Sequence, residues 1–448
     1  METVYKRMKR SKTVGLCLLV CLSMVLGSCQ SRHSRDFDVD AQIDYCHKKV
    51  LASIWELGDD YSKHARSIPA GETIWRMCPN DINDWCSGFW AGILWYDYAL
   101  TGDKTVLKSA RGWTEALRSY AYSPGFDHDL GLEMTSSYLN GYRFLSEKLA
   151  GMKDREMKSP DVRDEALGAE TKALEATVNE YKTVLLAAAD SLSRLFNPKV
   201  GTLLSWPRHV MDYKGHNSVI SSMANLELLL WADTAKVWID NAEALELRTN
   251  DYLKIAESHA DTTMEYQFRT DYSCYNMAVY DTLSGDFLYT RTQQGASDES
   301  VWARGQSWAI YGYTLMYRYT REPRYLDFAQ KVTDVYLSQL PEGMIPYWDF
   351  SQTNYRDASS ACVVASALID LSDFVGGEKG RQYLDAAEEM LQSLSEEPYR
   401  SGNANSAFLL HSVGNFSEGS DVDASITHAD YYYIEALYKL KAQESSLK

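Results

Sequence analysis

A turn-and-helix rhythm constrains this chain of 448 residues more than any other feature. Apolar residues recur at helical spacing in Val106, Leu107, Ala110, Trp113 and Leu117, and again in Leu326, Ala329, Val332, Val335 and Tyr336. A breaker cluster precedes several such runs. Thr101-Gly102-Asp103 leads to Ala110, Thr249-Asn250-Asp251 to Ala256, Thr320-Arg321-Glu322-Pro323 to Ala329, and Gly376-Gly377-Glu378 to Ala386. Each reads as the seam between two helices. An amphipathic helix must bury its apolar stripe against another element, so repeated seams predict stacked helical hairpins with loops of unequal length on one face. About twelve helices fit the length at ordinary helix and loop sizes. Strand-like alternation is scarce, with Gly201–Tyr213 and Tyr275–Tyr289 reading as short hairpins or loops. The charged, Ala/Glu-rich stretch from Lys153 to Thr177 reads as an insertion on the outside.

The N-terminus carries a targeting pattern. Lys6, Arg7, Lys9, Arg10 and Lys12 precede an apolar run from Val14 to Leu26, too short and wrongly flanked for a stable membrane span. The run closes on Leu26-Gly27-Ser28-Cys29, which resembles a bacterial lipoprotein signal with Cys29 as the lipidated residue. The expected organisation is a signal peptide over 1–28, a polar tether over 29–43 and one helical domain over 44–448. Residues Gln30-Ser31-Arg32-His33-Ser34 lack an acidic cluster, so the expected location is a membrane-anchored lipoprotein facing the periplasm. Of the eight cysteines, Cys46, Cys78, Cys86, Cys274 and Cys362 fall in the domain. No CxxC pair occurs, and buried free thiols are expected.

A formal net charge of −17 argues against nucleic acid, which needs a basic face. An acidic sugar meets the same repulsion and would need a locally positive pocket. Two stretches point to sugar. Asn83-Asp84-Trp85-Cys86-Ser87-Gly88-Phe89-Trp90-Ala91-Gly92-Ile93-Leu94-Trp95 and Ser300-Val301-Trp302-Ala303-Arg304-Gly305-Gln306-Ser307-Trp308 each set tryptophans and hydrogen-bonding side chains at a helix start. A pyranose offers an apolar face to an indole and a hydroxyl rim to Arg, Asn, Asp or Gln. Helix packing would use the same aromatics. Asp129, in Phe126-Asp127-His128-Asp129-Leu130-Gly131, enters a helix expected near Leu132, where it could be a cap or a functional carboxylate. His128, His209, His216 and His428 are scattered, with no metal-ligand spacing. No HExxH, P-loop, GxSxG or dinucleotide fingerprint occurs.

Several motifs occur together and in order: Asp84-Trp85, Gly88-Phe89-Trp90, His128-Asp129-Leu130-Gly131, Asn225-Leu226, Leu228-Leu229-Leu230-Trp231-Ala232, Gln293-Gln294-Gly295, Trp302-Ala303-Arg304-Gly305-Gln306, Pro346-Tyr347-Trp348-Asp349-Phe350, Arg356-Asp357-Ala358-Ser359-Ser360 and Asp430-Tyr431-Tyr432-Tyr433. From about Asp44 to Leu440 the chain resembles the bacterial unsaturated glucuronyl hydrolases, glycoside hydrolase family 88. The resemblance implies an (α/α)6 barrel that takes unsaturated uronide oligosaccharides and needs no metal or other cofactor. The implied chemistry is hydration of the vinyl ether of a Δ4,5-unsaturated uronic acid. An acid protonates C4, water adds at C5, and the hemiketal opens and expels the remaining sugar. It further implies that Asp129 is one of two family carboxylates, with His128 beside it. Trp85, Trp206, Asn276, Gln294, Arg304 and Trp308 fall at substrate positions. Arg304 has two readings, a partner for the substrate carboxylate or a helix-capping or Asp-paired arginine, since a buried Arg nearly always has a partner.

Two positions depart from the family pattern. Ser221 stands where the second aspartate is expected, and Asn276 where histidine is common. An unassisted hydroxyl neither donates nor accepts a proton usefully near neutral pH. Three readings follow: Asp129 carries the proton itself, Asp212 or His216 substitutes, or the chain binds uronides without turning them over. A changed substrate or mechanism belongs to the same set.

Overall fold

The computed structural model describes residues 37–446 apart from 83, 124, 159–164 and 237–250. Helices buried on every face form its inner layer. Every residue from Ala303 to Met316 is buried in the Ala303–Thr320 helix, and Phe89–Asp97 are all buried in the Phe89–Thr101 helix. A helix with no solvent-facing side must sit between two layers. Ala358–Val375 and Thr427–Ser446 join them. The ring is completed by Leu130–Met134, which runs through a π turn at Thr135–Leu139 into Asn140–Lys158, and by Ser222–Asn225 leading into Glu227–Lys236.

These inner elements contact one another in a closed circuit. Phe89–Thr101 packs on Thr427–Ser446, then Ala358–Val375, then Ala303–Thr320, then the Ser222–Lys236 pair, then Leu130–Met134, whose continuation returns to Phe89–Thr101. Outside lie Val39–Leu57, Lys104–Glu115, Glu165–Ser193, Tyr252–Tyr266, Pro323–Ser338 and Gly377–Leu394. Two of these show the one-sided pattern plainly. Lys104–Glu115 buries Val106, Ser109, Ala110, Trp113 and Thr114, while Pro323–Ser338 buries Tyr325, Phe328, Ala329, Val332, Thr333 and Tyr336. The architecture is an (α/α)6 barrel, as the family resemblance implied, built from the stacked helical hairpins that the turn-and-helix rhythm predicted.

The seams lie where the breaker clusters stand. Gly102 closes one helix in the left-handed conformation at φ 72°, and Asp103 caps the next through Thr105 N and Val106 N. Arg321 (φ 58°) and Pro323 do the same for a second pair, and Gly376 (φ 64°) for a third. Asp251 caps Tyr252–Tyr266 by accepting from Lys254 N.

Two small sheets and a two-stranded pair, Phe196–Asn197 with Thr202–Leu203, add to the helices among the described residues. One has the order Arg76–Pro79, Lys63–Ile68, Ser420–Ile426, Ser412–Asn415, and the other His216–Val219, Met277–Tyr280, Phe287–Arg291. The second confirms a hairpin within Tyr275–Tyr289. The first lacks an alternating apolar pattern along its strands, so periodicity did not reveal it.

Other expectations are corrected. The first described helix begins at Val39, capped by Asp38, so the segment read as tether up to residue 43 is already helical and buries Val39, Gln42 and Ile43. The charged stretch Lys153–Thr177 is not an inserted element. Its described residues are the facing ends of Asn140–Lys158 and Glu165–Ser193, linked by Lys153–Glu175 at 2.7 Å. All five described cysteines are free, four of them buried. Cys29 and the signal segment lie outside the described residues.

Close packing of the inner ring explains the small residues in the tryptophan-rich stretches. A Cβ at Gly92 would lie 2.7 Å from the backbone oxygen of Ser136 and would strike the Tyr431 ring. At Gly312 it would meet the Met223 backbone at 2.9 Å. Neither contact can relax at the end of a flexible side chain. Gly92→Ala is therefore expected to lower stability by about 1–3 kcal/mol, read as a reduced midpoint in thermal or denaturant unfolding.

Candidate functional site

The inner elements begin at one end of the barrel, and there a cavity of about 840 Å³ opens. Asp129 precedes Leu130, Ser221 precedes Ser222, Trp302 precedes Ala303 and His428 is the second residue of Thr427–Ser446; all four line the cavity. Helix N-termini expose unpaired amides and favour negative charge, so an acidic ligand is better tolerated here than a net charge of −17 suggests. The two sheets supply side walls. Arg66, Cys78, Asn415 and Asp421 come from one sheet, while Tyr213, Gln293 and Gln294 flank the other.

Trp85, Asp129, Trp206, Ser221, Gln294, Arg304 and Trp308 all line this cavity. Trp85 and Trp308 meet edge to face at 6.4 Å between centroids, and Trp206 stands edge-on to His128 at 6.1 Å. His128 and Asn276 do not reach the cavity wall. His128 is fully buried behind Asp129, its Nδ1 2.9 Å from Ser222 Oγ and its Nε2 3.5 Å from Asp129 Oδ2. Burial pushes its pKa down to about 4, leaving a neutral ring. Asn276 Oδ1 accepts from Gln293 N at 2.8 Å and so positions the Gln293–Gln294 segment.

Asp129 sits at the N-cap position, yet its side chain makes no capping bond. Asp127 takes the local turn role instead, accepting from Asp129 N at 3.0 Å. Asp129 Oδ1 accepts from Asn225 Nδ2 at 3.3 Å, and the same amide lies 3.3 Å from Ser221 O. Asn225 thus ties Asp129 to Ser221. Burial raises the Asp129 pKa to about 6, against the lowering influence of Asn225 and Arg208. A carboxyl in that range is present in both protonation states near neutrality, as proton transfer requires.

Arg304 takes the Asp-paired reading. It is 1% exposed, and its Nη1 donates to Asp357 Oδ2 at 2.9 Å and Ser359 Oγ at 3.3 Å. The same guanidinium donates to the carbonyls of Val413 and Gly414. These bonds engage it as a structural tie at the cavity wall. Neither substitute proton carrier reaches the cavity wall. Asp212 is bound to His209 at 2.8 Å, and His216 is buried against Thr202 Oγ1 at 2.9 Å with its pKa pushed down to about 4 by burial.

Other wall residues were not singled out from sequence. Arg208 follows Trp206-Pro207 and pairs with Asp127 at 3.0 Å. Arg66 lies between Asp84 and Asp421. Burial would raise the Asp84 pKa, but His64 and Arg66 hold it at about 2. His428, one of the scattered histidines, packs on Trp85 at 4.6 Å, and burial holds it neutral. Its closeness in sequence to Asp430-Tyr431-Tyr432-Tyr433 was the available signal.

Among the described residues, two groups of side chains have ligand atoms close enough to hold a metal ion: His64, Cys78 and Asp84, and Asp127, His128 and Asp129. In each a guanidinium already meets a carboxylate, Arg66 on Asp84 and Arg208 on Asp127. That positive charge opposes a cation at either place.

No family model matches the chain. An unsaturated glucuronyl hydrolase from Formosa agariphila is 35% identical over 438 residues, covering 95% of this chain and 97% of that protein. An unsaturated chondroitin disaccharide hydrolase from Streptococcus pyogenes is 27% identical, covering 90% and 91%. Among solved structures, an unsaturated glucuronyl hydrolase specific for heparin matches with TM-score 0.71 and 33% identity over 90% of this chain and 98% of that one. The unsaturated glucuronyl hydrolase from Bacillus sp. GL1 matches with TM-score 0.72 and 25% identity over 90% and 97%. With similarity of this extent along nearly the whole of both chains, and the barrel in common, the chain belongs to the unsaturated glucuronyl hydrolase family and is a glycoside hydrolase.

Proposed function

We propose that this hydrolase removes a Δ4,5-unsaturated uronic acid from the non-reducing end of lyase-generated oligosaccharides, with Asp129 as the proton carrier. The observation that carries this reading is the state of Asp129. It is a cavity-lining carboxyl, released from capping, with a pKa raised to about 6 by burial, beside the cavity-lining Trp85, Trp206 and Trp308. Neutral Asp129 gives its proton to C4 of the vinyl ether. Water adds its oxygen to C5 and returns a proton to the carboxylate. The hemiketal then opens and the remaining sugar leaves, with one water consumed.

Ser221 has no charge to offer and borders the same cavity. Its hydroxyl suits a water or a sugar hydroxyl rather than the transferred proton. A silent uronide-binding protein on this barrel would need the tryptophans but not a carboxyl tuned to about 6.

The N-terminal pattern supports a lipoprotein attached through Cys29 and facing the periplasm. In that position the enzyme meets oligosaccharides that have crossed the outer envelope. Several acyl chains hold a protein stably where one does not. Cys29→Ala is expected to move the protein to the soluble fraction or leave its signal uncut; a variant still acylated and membrane-bound would sink the assignment.

The mechanism fixes the sign of the pH dependence. Protonation of C4 needs neutral Asp129, so turnover of an unsaturated disaccharide should fall about tenfold per pH unit above about 6. A rate that climbs steadily from pH 6 to 8 would contradict it.

Asp129→Asn is expected to cut kcat at least about 10²-fold, the size typical of a lost general acid. Ser221→Asp places a second carboxylate near the first, raising the Asp129 pKa and moving the descending limb to higher pH. An inactive wild type rescued by Ser221→Asp would favour the silent-descendant reading instead. Unsaturated disaccharides from heparin and from chondroitin are the first substrates to test, because relatives are named for them.

A further inference from the structure

If Arg304 is a structural tie, the substrate carboxylate needs another receptor. Among the described residues, the cavity wall holds three arginines and no lysine. Arg304 is 1% exposed and bound to Asp357. Arg66 is 22% exposed and held between two carboxylates, those of Asp84 and Asp421. Arg208 has 46% of its side chain exposed and pairs with the buried Asp127 at 3.0 Å. It is the wall guanidinium most open to a ligand.

Its place also fits the reaction. In a Δ4,5-unsaturated uronate the carboxylate is borne on C5, directly beside the carbon that receives the proton. Whatever binds that carboxylate must stand within a few ångströms of the proton donor. One Asp127 oxygen is ion-paired with Arg208 and the other accepts from Asp129 N, at 3.0 Å each, so one carboxylate links the guanidinium to the Asp129 backbone. Trp206, two residues earlier, lines the same cavity and supplies an apolar plate next to the charge.

We infer that Arg208 receives the uronate carboxylate of the substrate and so places C4 against Asp129. This assignment rests on the proposed hydration of an unsaturated uronide. The guanidinium fork can meet a carboxylate with two parallel N–H donors while Asp127 steadies it from behind. Its positive charge also offsets the carboxylates that Asp84, Asp421 and Glu418 add to the same wall.

The test pairs a protein change with a substrate change. Arg208→Ala should lower kcat/KM on an unsulfated unsaturated disaccharide about 10- to 100-fold, mainly through KM, with Arg208→Lys recovering part of the loss. Methyl esterification of the uronate should cost the wild type a comparable factor and cost Arg208→Ala little more, since the two changes remove one interaction. Equal ester penalties in both proteins would overturn the assignment. So would a loss seen only with sulfated disaccharides, which would make the bound oxyanion a sulfate ester. Calorimetric binding of the same disaccharide and ester to Asp129→Asn, with and without Arg208→Ala, reads the contact without turnover. If the wild type proves inactive but this cycle still shows coupling, the hydration reading fails and the Arg208 contact stands.

Discussion

The buried pair of Arg304 and Asp357 holds the site end of the barrel together. Asp357 Oδ1 caps the Ala358–Val375 helix through Ser359 N and also accepts from Val413 N, while its Oδ2 receives Arg304. Arg304, from the first turn of Ala303–Thr320, adds bonds to the carbonyls of Val413 and Gly414. Two inner helices and a wall strand are thereby fixed to one another. Removing either partner from such a pair leaves a buried charge uncompensated, at a cost of about 3–5 kcal/mol. The cavity tryptophans Trp302 and Trp308, at the start of Ala303–Thr320, depend on that arrangement.

Catalysis and stability draw on neighbouring polar groups with different surroundings. Arg304 and Asp357 are both at most 1% exposed, and their charges match. Asp129 makes contact with an Asn225 amide and an uncharged His128, and burial raises its pKa against the weaker pull of Asn225 and Arg208. Asp84, near the opposite wall, carries Arg66 and His64 and falls to about 2. Two aspartates on one cavity therefore differ in acid strength because one has cationic neighbours in contact and the other does not. An enzyme with a serine where a second aspartate is common can still hold one carboxyl near the operating pH.

Much of this architecture was legible from local pattern. Gly102, Asp103, Pro323 and Gly376 mark helix ends because their backbone preferences and capping groups act within a few residues. Strand pairs such as Ser67 with Ile426 were not legible, since their register depends on residues 359 positions apart rather than on alternation. Similar limits applied to the site. Trp85, Asp129, Trp206 and Trp308 were placed by motif, but Arg208 and His428 carry no local signature that separates a cavity-lining side chain from an ordinary surface or core one.

By itself the sequence determined the helical hairpins, their seams, the tryptophan-bearing helix starts and the candidate carboxylate, because each rests on short-range sterics, capping or periodicity. Tertiary structure decided which charges stay open to the cavity. Arg304 and Arg208 are the same residue type, each beside a tryptophan two residues away. One is closed in by Asp357 and two carbonyls from distant segments, and the other faces the cavity with nearly half its side chain exposed. Solvation and ion pairing depend on neighbours that the fold brings together, and those neighbours set whether a charged side chain holds the barrel or meets the sugar.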